Sequence, residues 1–251
     1  LTAGPHRIVF RASKGKDVLY EGHTEVVVTA LAESGYGYPL APIGKDLALW
    51  WCEGAWKVGA DRPAPEGKPV AGITLEAARG EYEPVQLVVR ASKAGTVLVA
   101  VETTDLQGPD YTIPSSEVTL REVVRVHIEN PTDTLGEVGD WPDPLPPLLL
   151  PLPLEADRNA AIWVLVHVPE ATPGGDYRGM LRVKTTAGGA EVPLTVHVFD
   201  FTLPKTPSLR SGFGVDAHRL MEYHAVGQGD DLRAVWDLTM RDFAAHRIAP
   251  Y

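Results

Sequence analysis

The sequence predicts a mostly β protein, an antiparallel β-sandwich followed by the start of an α/β fold, and three observations lead to this fold class. Short apolar runs recur up to residue 201, and Pro- and Gly-rich turns separate them. A polar run with two prolines, Thr202–Pro207, then marks a linker. Beyond this linker the spacing of apolar residues changes from strand-like alternation to helical periodicity.

The composition narrows the functional classes before any motif is considered. At 251 residues the chain can bury one large core or two smaller ones. Its formal net charge of −10 argues against nucleic acid as a partner, because phosphates bind basic surfaces. No apolar run reaches the about 18 residues that a membrane helix needs, so we expect no membrane span.

The N-terminal region contains three short apolar runs, which predict three strands with tight turns between them. The runs are Arg7–Ala12, Asp17–Tyr20 and Glu25–Leu31, with turns at Gly15-Lys16 and Glu21-Gly22. We treat residues 1–44 as leading strands. They are either the tail of a preceding domain or the first strands of the sandwich.

Residues 45–203 carry the pattern of the sandwich domain. In Pro84–Ala91, Val85, Leu87 and Val89 share one face, as expected of a strand with one face in a core. Ala160–Val168 is apolar on both faces, which is typical of a central strand. The predicted strands are Leu47–Trp51, Trp56–Val58, Ile73–Ala77, Pro84–Ala91, Val97–Thr103, Glu117–Ile128, Ala160–Val168, Tyr177–Thr185 and Glu191–Phe201.

Four tryptophans are candidates for carbohydrate stacking. Trp50, Trp51 and Trp56 stand within seven residues, and Trp141 lies in a proline-rich loop. Aromatic rings can stack on sugar faces, but large aromatic residues also dominate protein cores. We favour a core role for the first three and keep the stacking platform as the alternative. Cys52, between them in sequence, is interpreted as a small buried hydrophobe.

The long loop at residues 130–153 is a candidate functional or interface segment, because long ordered loops in compact domains are seldom idle. Its acidic residues suggest a calcium site, since calcium takes clustered oxygen ligands. Their spacing does not match the calcium-loop pattern, so we assign no metal ligand and keep calcium as a minor alternative for this loop. We expect no cofactor. The acidic residues are Asp133, Glu137, Asp140 and Asp143.

Residues 204–251 have the pattern of a linker and one strand-helix unit. Leu209–Val215 predicts a strand, and Leu232–Ala245 predicts an amphipathic helix capped by Asp230 or Asp231. A single such unit cannot bury both of its faces. We therefore expect the chain either to continue beyond this unit or to pack the unit on the sandwich.

Several segments together resemble the glycoside hydrolase family 123 proteins and their relatives in the domain-of-unknown-function 4091 group. The resemblance covers roughly residues 45–251 and rests on the order and spacing of these segments. They are Ala77–Val89 (AARGEYEPVQLVV), Asp143–Pro147 (DPLPP), Asn159–Gly179 (NAAIWVLVHVPEATPGGDYRG), Val192–Pro204 (VPLTVHVFDFTLP) and Ser211–Gly214 (SGFG).

The resemblance implies an antiparallel β-sandwich followed by a catalytic (β/α)8 barrel, of which this chain would hold the first strand-helix unit. It implies a glycan substrate and hydrolysis of a terminal β-linked N-acetylhexosamine, typically N-acetylgalactosamine. In that family the acetamido oxygen of the sugar acts as the nucleophile, and adjacent Asp and Glu residues of the barrel assist it. This substrate-assisted scheme departs from the usual pair of catalytic carboxylates.

No Asp is followed directly by Glu in this sequence, so no catalytic residue can be assigned here. We expect a non-catalytic region whose partner is the missing C-terminal barrel, in a secreted, periplasmic or cell-surface protein. Asp216 and His218 follow the first predicted barrel strand, where they would contact substrate or form a solvated helix entry. The alternative function is a stand-alone carbohydrate-binding or structural module.

Overall fold

The computed structural model describes residues 3–206, 209 and 211–250, and the chain divides into two compact units, Leu1–Thr202 and Leu203–Tyr251. Within the described residues the first unit contains sixteen strands. They are β1 Gly4–Lys14, β2 Asp17–Val28, β3 Tyr38–Pro39, β4 Leu47–Glu53, β5 Ile73–Arg79, β6 Tyr82–Ala91, β7 Val97–Thr103, β8 Leu106–Gln107, β9 Thr112–Ile113, β10 Val118–Glu122, β11 Arg125–Ile128, β12 Gly139–Pro142, β13 Leu152–Pro153, β14 Asn159–His167, β15 Gly175–Thr185 and β16 Gly188–Thr202. A short 3₁₀ turn, Ser115–Glu117, precedes β10.

Two sheets pack face to face and confirm the predicted β-sandwich. One sheet has the order β10-β14-β6-β4-β3, and the other has the order β13-β7-β15-β16-β5, with β8 and β9 attached to β15. Neighbouring strands are antiparallel except β16 and β5, which pair in parallel. The predicted central strand is confirmed, because β14 has hydrogen-bonded neighbours on both edges.

The main core lies between the two sheets and consists of aliphatic side chains at alternating strand positions. Leu87 of β6 and Val164 of β14 are fully buried from one sheet, as are Leu181 of β15 and Leu194 of β16 from the other. All four belong to one continuous cluster of buried residues. This is the packing that alternation of apolar and polar residues predicts for a strand with one buried face.

The outer face of the five-stranded sheet is buried as well, because the segment that follows β4 covers it. Trp50, Cys52 and Val88 form a second buried cluster there with Tyr36 and Val58. Cys52 is fully buried, in agreement with the sequence-based interpretation. Burial raises the pKa of its thiol to about 12.

A clamp of three side chains holds the covering segment, which we call the 53–62 loop, against this outer face. Gln86, Arg90 and Asn159 each donate hydrogen bonds to its backbone carbonyl oxygens. Asn159 Nδ2 lies 2.8 Å from two of these oxygens. Trp56–Val58 was expected to be a strand, and that prediction is wrong, because these carbonyl groups bond side chains instead of a neighbouring strand.

The predicted strand Glu117–Ile128 is in fact two strands in different sheets. The chain leaves the five-stranded sheet after β10, and β11 pairs with β12 instead. At the break, the backbone N–H of Val123 still donates to Ala161, whereas Val124 exchanges backbone hydrogen bonds with the 143–144 segment. The prediction of one continuous strand is therefore wrong, because the loop beyond residue 130 supplies a second partner.

The N-terminal residues form one hairpin, not three short strands. β1 and β2 pair along their whole length, and the turn lies at Gly15 as predicted. The second predicted turn, at Glu21-Gly22, is wrong. Gly22 pairs with Phe10 inside the ladder, and a Cβ on Gly22 would lie 2.9 Å from the Phe10 ring and 2.8 Å from Tyr20 Oη. The glycine therefore makes room for two rings. The domain boundaries at residues 44 and 203 stay predictions.

The second unit contains helices α1, Ala217–His224, and α2, Asp230–Ala245. α1 was not expected from the sequence. α2 is the predicted helix, but Gly229 occupies its N-cap position, and Asp230 and Asp231 lie in its first turn. Acidic side chains are favourable there because the helix dipole is positive at this end. Neither helix within the described ranges has the length and apolar character needed to cross a bilayer.

The predicted strand Leu209–Val215 includes Arg210, which lies outside the described residues. In its described part, Phe213 makes an isolated parallel bridge with Pro250. The backbone N–H of Phe213 donates to the carbonyl oxygen of Ala249 at 3.1 Å. Apart from this bridge, the described residues of Leu209–Val215 form no strand, so that part of the prediction is wrong. The two helices lie between the bridge partners in sequence.

Candidate functional site

The ribbon formed by β11 and β12 has two chemically different faces. Val126 pairs with Trp141, and His127 pairs with Asp140. Because successive side chains of a strand point to opposite sides, the first pair lies on one face and the second pair on the other. The ribbon thus separates an apolar cleft from a polar one.

The apolar cleft, which we call the Trp141 cleft, has a volume of about 450 Å³. Its walls come from the ribbon, from the 129–138 loop that joins β11 to β12, and from the 53–62 loop. Its lining includes two exposed aliphatic side chains and one ring, which we call the floor, and three charged side chains, which we call the rim. These residues are Val126, Leu135, Trp141, Lys57, Asp133 and Asp143.

Hydrogen bonds hold the 129–138 loop in one course. Asp133 Oδ1 accepts from the backbone N–H groups of Leu135 and Gly136, each at 2.9 Å. Thr29 Oγ1 donates to the Glu137 carboxylate at 2.7 Å and so ties the loop to the segment after β2. A loop with these bonds presents its side chains without a large ordering cost on binding.

A hydrogen bond from its indole nitrogen holds the Trp141 ring in place. Trp141 Nε1 donates to the carbonyl oxygen of Glu137 at 2.7 Å, and the side chain is half-buried. Across the cleft, Lys57 Nζ donates to the carbonyl oxygen of Pro142 at 3.2 Å and lies 3.6 Å from Asp143 Oδ1. The arrangement places a rigid apolar surface beside groups that accept and donate hydrogen bonds.

The other face of the ribbon is polar. His127 Nδ1 lies 2.9 Å from Asp140 Oδ1, and Arg158 Nη2 lies 3.7 Å from the other carboxylate oxygen. The hydrogen bond with His127 lowers the pKa of the Asp140 carboxyl, and the charge of Arg158 lowers it further. Arg158 also pairs with Glu155 at 2.7 Å. These charges satisfy one another at the surface.

The acidic residues of the long loop have separate partners. Asp133 accepts from backbone N–H groups, Glu137 from Thr29, Asp140 pairs with His127, and Asp143 lies near Lys57. In the part of the chain that the structure describes, no three His, Cys, Asp or Glu side chains are grouped to hold a metal ion.

The four candidate tryptophans do not share a surface. Trp50 is fully buried and Trp51 is 8% exposed, so neither presents a ring face to solvent in this structure. Trp56 is half-buried and stacks on Tyr36 with ring centroids 4.3 Å apart. Trp141 lines the Trp141 cleft. A stacking role for any of them stays a prediction.

Other residues of the cleft were not found from the sequence. Lys57 and Leu135 lie beside Trp141 although no motif joins them, whereas Asp133 and Asp143 were noted only as acidic residues of the long loop. The feature of the sequence that indicated a functional surface in this region was the length of the 130–153 loop. Asp216 lies in the second unit, where its carboxylate accepts from the backbone N–H of His218 at 2.8 Å and caps α1. Substrate contact by Asp216 or His218 stays a prediction.

Comparison with known proteins places this fold in a family. A family model described as the glycoside hydrolase 123 N-terminal domain matches residues 60–185. A solved family 123 glycoside hydrolase from Clostridium perfringens, studied for glycolipid glycan hydrolysis, is similar in fold, with a TM-score of 0.58 and 13% sequence identity. The similarity covers 69% of this chain and 32% of that enzyme, so the chain spans about a third of the enzyme's length.

The other comparisons add less. The CooA pilin subunit from enterotoxigenic Escherichia coli is 12% identical over 54% of this chain and 94% of its own, with a TM-score of 0.31, which is too low to carry an argument. No curated protein sequence matched. The family match over residues 60–185 spans half of the chain. With the two-sheet core, it establishes that the chain belongs to the glycoside hydrolase 123 N-terminal domain family.

Proposed function

We propose that this chain is the non-catalytic N-terminal region of a glycoside hydrolase. The observation that carries the proposal is the glycoside hydrolase 123 N-terminal domain match, which falls within the sandwich. A sandwich with a continuous core between its two sheets is suited to bracing a neighbouring domain. A non-catalytic role is further supported by the sequence, in which no Asp directly precedes a Glu.

The proposed reaction belongs to a barrel that would follow the sandwich. Its substrate would be a glycan with a terminal β-linked N-acetylhexosamine, hydrolysed with retention through the acetamido group of the substrate. The structurally similar enzyme from Clostridium perfringens was studied for glycolipid glycan hydrolysis, which supports a glycan substrate here. Such a protein would act outside the cytoplasm, at the cell surface, in the periplasm or after secretion.

The second unit supports the proposal of a barrel start. Phe213 and Pro250 form a parallel bridge, and parallel neighbours require a crossover such as the intervening helices. Asp216 and His218 follow the first bridge partner. Active sites of (β/α)8 barrels lie at the carboxyl ends of their strands. We therefore expect these two side chains near the substrate of a complete barrel.

The alternative function is a carbohydrate-binding or structural module that works without a barrel. The Trp141 cleft is the observation that favours the binding form of this alternative. A purely structural module would give no response to any glycan. The sandwich fold is compatible with each of these functions.

The test begins with the coding sequence downstream of Tyr251. We expect it to continue for roughly 200 or more residues of alternating strands and helices, as a complete barrel requires. Aryl β-N-acetylhexosaminides should then be cleaved by the extended protein and not by residues 1–251. Cleavage by residues 1–251 alone would contradict the non-catalytic role. A reading frame that stops at Tyr251 would favour the stand-alone module.

A further inference from the structure

We propose that the Trp141 cleft binds one neutral pyranose residue of a glycan. The proposal concerns binding alone, and it holds whether or not a catalytic barrel follows the sandwich. It rests on four features of the cleft: its apolar floor, the charge of its rim, the rigidity of its walls and its volume.

The floor of the cleft suits the C–H face of a sugar ring. Val126 and Leu135 are 38% and 39% exposed, which is high for aliphatic side chains, and both line the cleft beside Trp141. A pyranose ring is amphipathic, with C–H groups on its faces and hydroxyl groups around its edge. Contacts between C–H groups and an aromatic face are individually weak but favourable.

The rim of the cleft suits the hydroxyl edge of the same ligand. Asp143 and Asp133 offer carboxylate oxygens that accept from hydroxyl groups, and Lys57 offers an ammonium group that donates. The Asp143 side chain is 71% exposed and the Lys57 side chain 43% exposed, so both are accessible. Two carboxylates against one ammonium leave the rim negative. An acidic sugar would be repelled, which is why the proposed ligand is neutral.

The walls of the Trp141 cleft are ordered before a ligand binds. The hydrogen bond from Trp141 Nε1 to Glu137 holds the ring, and the turn at Asp133 holds Leu135. A Cβ added to Gly136 would lie 2.8 Å from Pro131 Cβ, so the loop packs closely on the proline. Side chains that are already ordered lose little entropy on binding.

The volume limits both the size of the ligand and its affinity. About 450 Å³ falls in the lower part of the range of small-molecule sites, about 300 to 1,000 Å³. An open cleft of this size holds one sugar ring well and a second ring only in part. With about a dozen non-hydrogen atoms in contact, we expect a dissociation constant on the order of 1 mM.

The test is a titration of the intact chain with methyl glycosides of galactose, glucose, mannose and N-acetylglucosamine, followed by ligand-observed NMR and tryptophan emission. Methyl glucuronide serves as the charged comparator. We expect saturable binding of at least one neutral glycoside and weaker binding of the glucuronide. Absence of saturation across the neutral probes, or tighter binding of the glucuronide, would overturn the proposal.

Variants then locate the binding. Trp141→Ala should weaken binding by about tenfold or more, because it removes the stacking surface. Tyr82→Ala is the matched control, since Tyr82 is an aromatic residue that is 56% exposed and lies outside the cleft. If Trp141→Ala does not fold by circular dichroism, Leu135→Asp replaces it and should weaken binding by a similar factor, because it places a charge in the apolar floor. An equal loss in Tyr82→Ala, or full binding by the cleft variant that folds, would overturn the proposal.

Discussion

The two faces of the five-stranded sheet are both buried, but they serve different purposes. The inner face presents aliphatic side chains such as Leu87 and Val164 to the other sheet. The outer face presents Trp50, Cys52 and the clamp residue Asn159 to a loop. The inner face therefore stabilises the fold through packing, and the outer face fixes the course of a loop that carries part of the cleft.

The largest expected effect comes from the inner face. Leu87→Ala leaves a cavity in a fully buried site and should lower the free energy of unfolding by about 3 kcal/mol. Urea denaturation followed by circular dichroism measures the change. Val99→Ala is the control, because Val99 is 38% exposed and its truncation should cost less than about 0.5 kcal/mol. Similar losses in the two variants would contradict the assignment of the core.

A smaller effect is expected from the clamp on the outer face. Asn159→Ala removes two hydrogen bonds to the 53–62 loop and leaves two buried carbonyl oxygens without that partner. We expect the free energy of unfolding to fall by about 2 kcal/mol, and amide hydrogen exchange in the loop to accelerate. Asn130→Ala, at an exposed position, provides the matched control. Unchanged exchange in the loop would show that the clamp does not hold it.

The smallest effect is the loss of stability at alkaline pH that Cys52 and Tyr36 of the outer face contribute. Burial raises the pKa of Cys52 from 9.0 to about 12 and that of Tyr36 from 10.0 to about 12. Both groups lose their protons more readily in the unfolded chain. Stability should therefore be complete near pH 7 and decline as the pH rises through 9 toward 12, by about 1 kcal/mol at pH 9.5.

The variant Cys52→Ala separates the two groups. Its decline should begin nearer pH 10, because the groups that then titrate in this range with a raised pKa, Tyr36 among them, are tyrosines. Urea denaturation at a series of pH values from 7 to 11 measures the slope in both proteins. An identical slope in the variant and the natural protein would contradict a buried, protonated thiol at position 52.

Alternation along single strands predicts the inner face but not the outer one. In Pro84–Ala91 the pattern of apolar residues identifies Val85, Leu87 and Val89, and all three are fully buried in the main core. Gln86, on the opposite side, is interpreted from the pattern as polar and is nevertheless 2% exposed. Its burial depends on carbonyl partners about 30 residues earlier in the chain, which no local pattern reports.

The Trp141 cleft shows the same limit of prediction from local sequence patterns. Trp141 can be singled out in the sequence because a tryptophan in a proline-rich loop is unusual. Lys57 reaches the neighbouring Pro142 carbonyl across a separation of 85 residues, and its position depends on the clamped loop. Residues whose proximity arises from three separate segments carry no shared spacing. Sequence reasoning therefore identifies the ring of Trp141 and the acidic residues Asp133 and Asp143, but not Lys57 or the convergence of these groups on one cleft.

The clamp side chains donate hydrogen bonds to the backbone carbonyl oxygens of the 53–62 loop, and every amino acid has such an oxygen. These hydrogen bonds therefore do not depend on which side chain stands at a position such as Lys57. A substitution at that position leaves the loop in place. Natural selection can thus alter the charge of one wall of the cleft by single substitutions while the sheet beneath stays unchanged. The residues that line the cleft and the residues that form the core can therefore change separately during evolution.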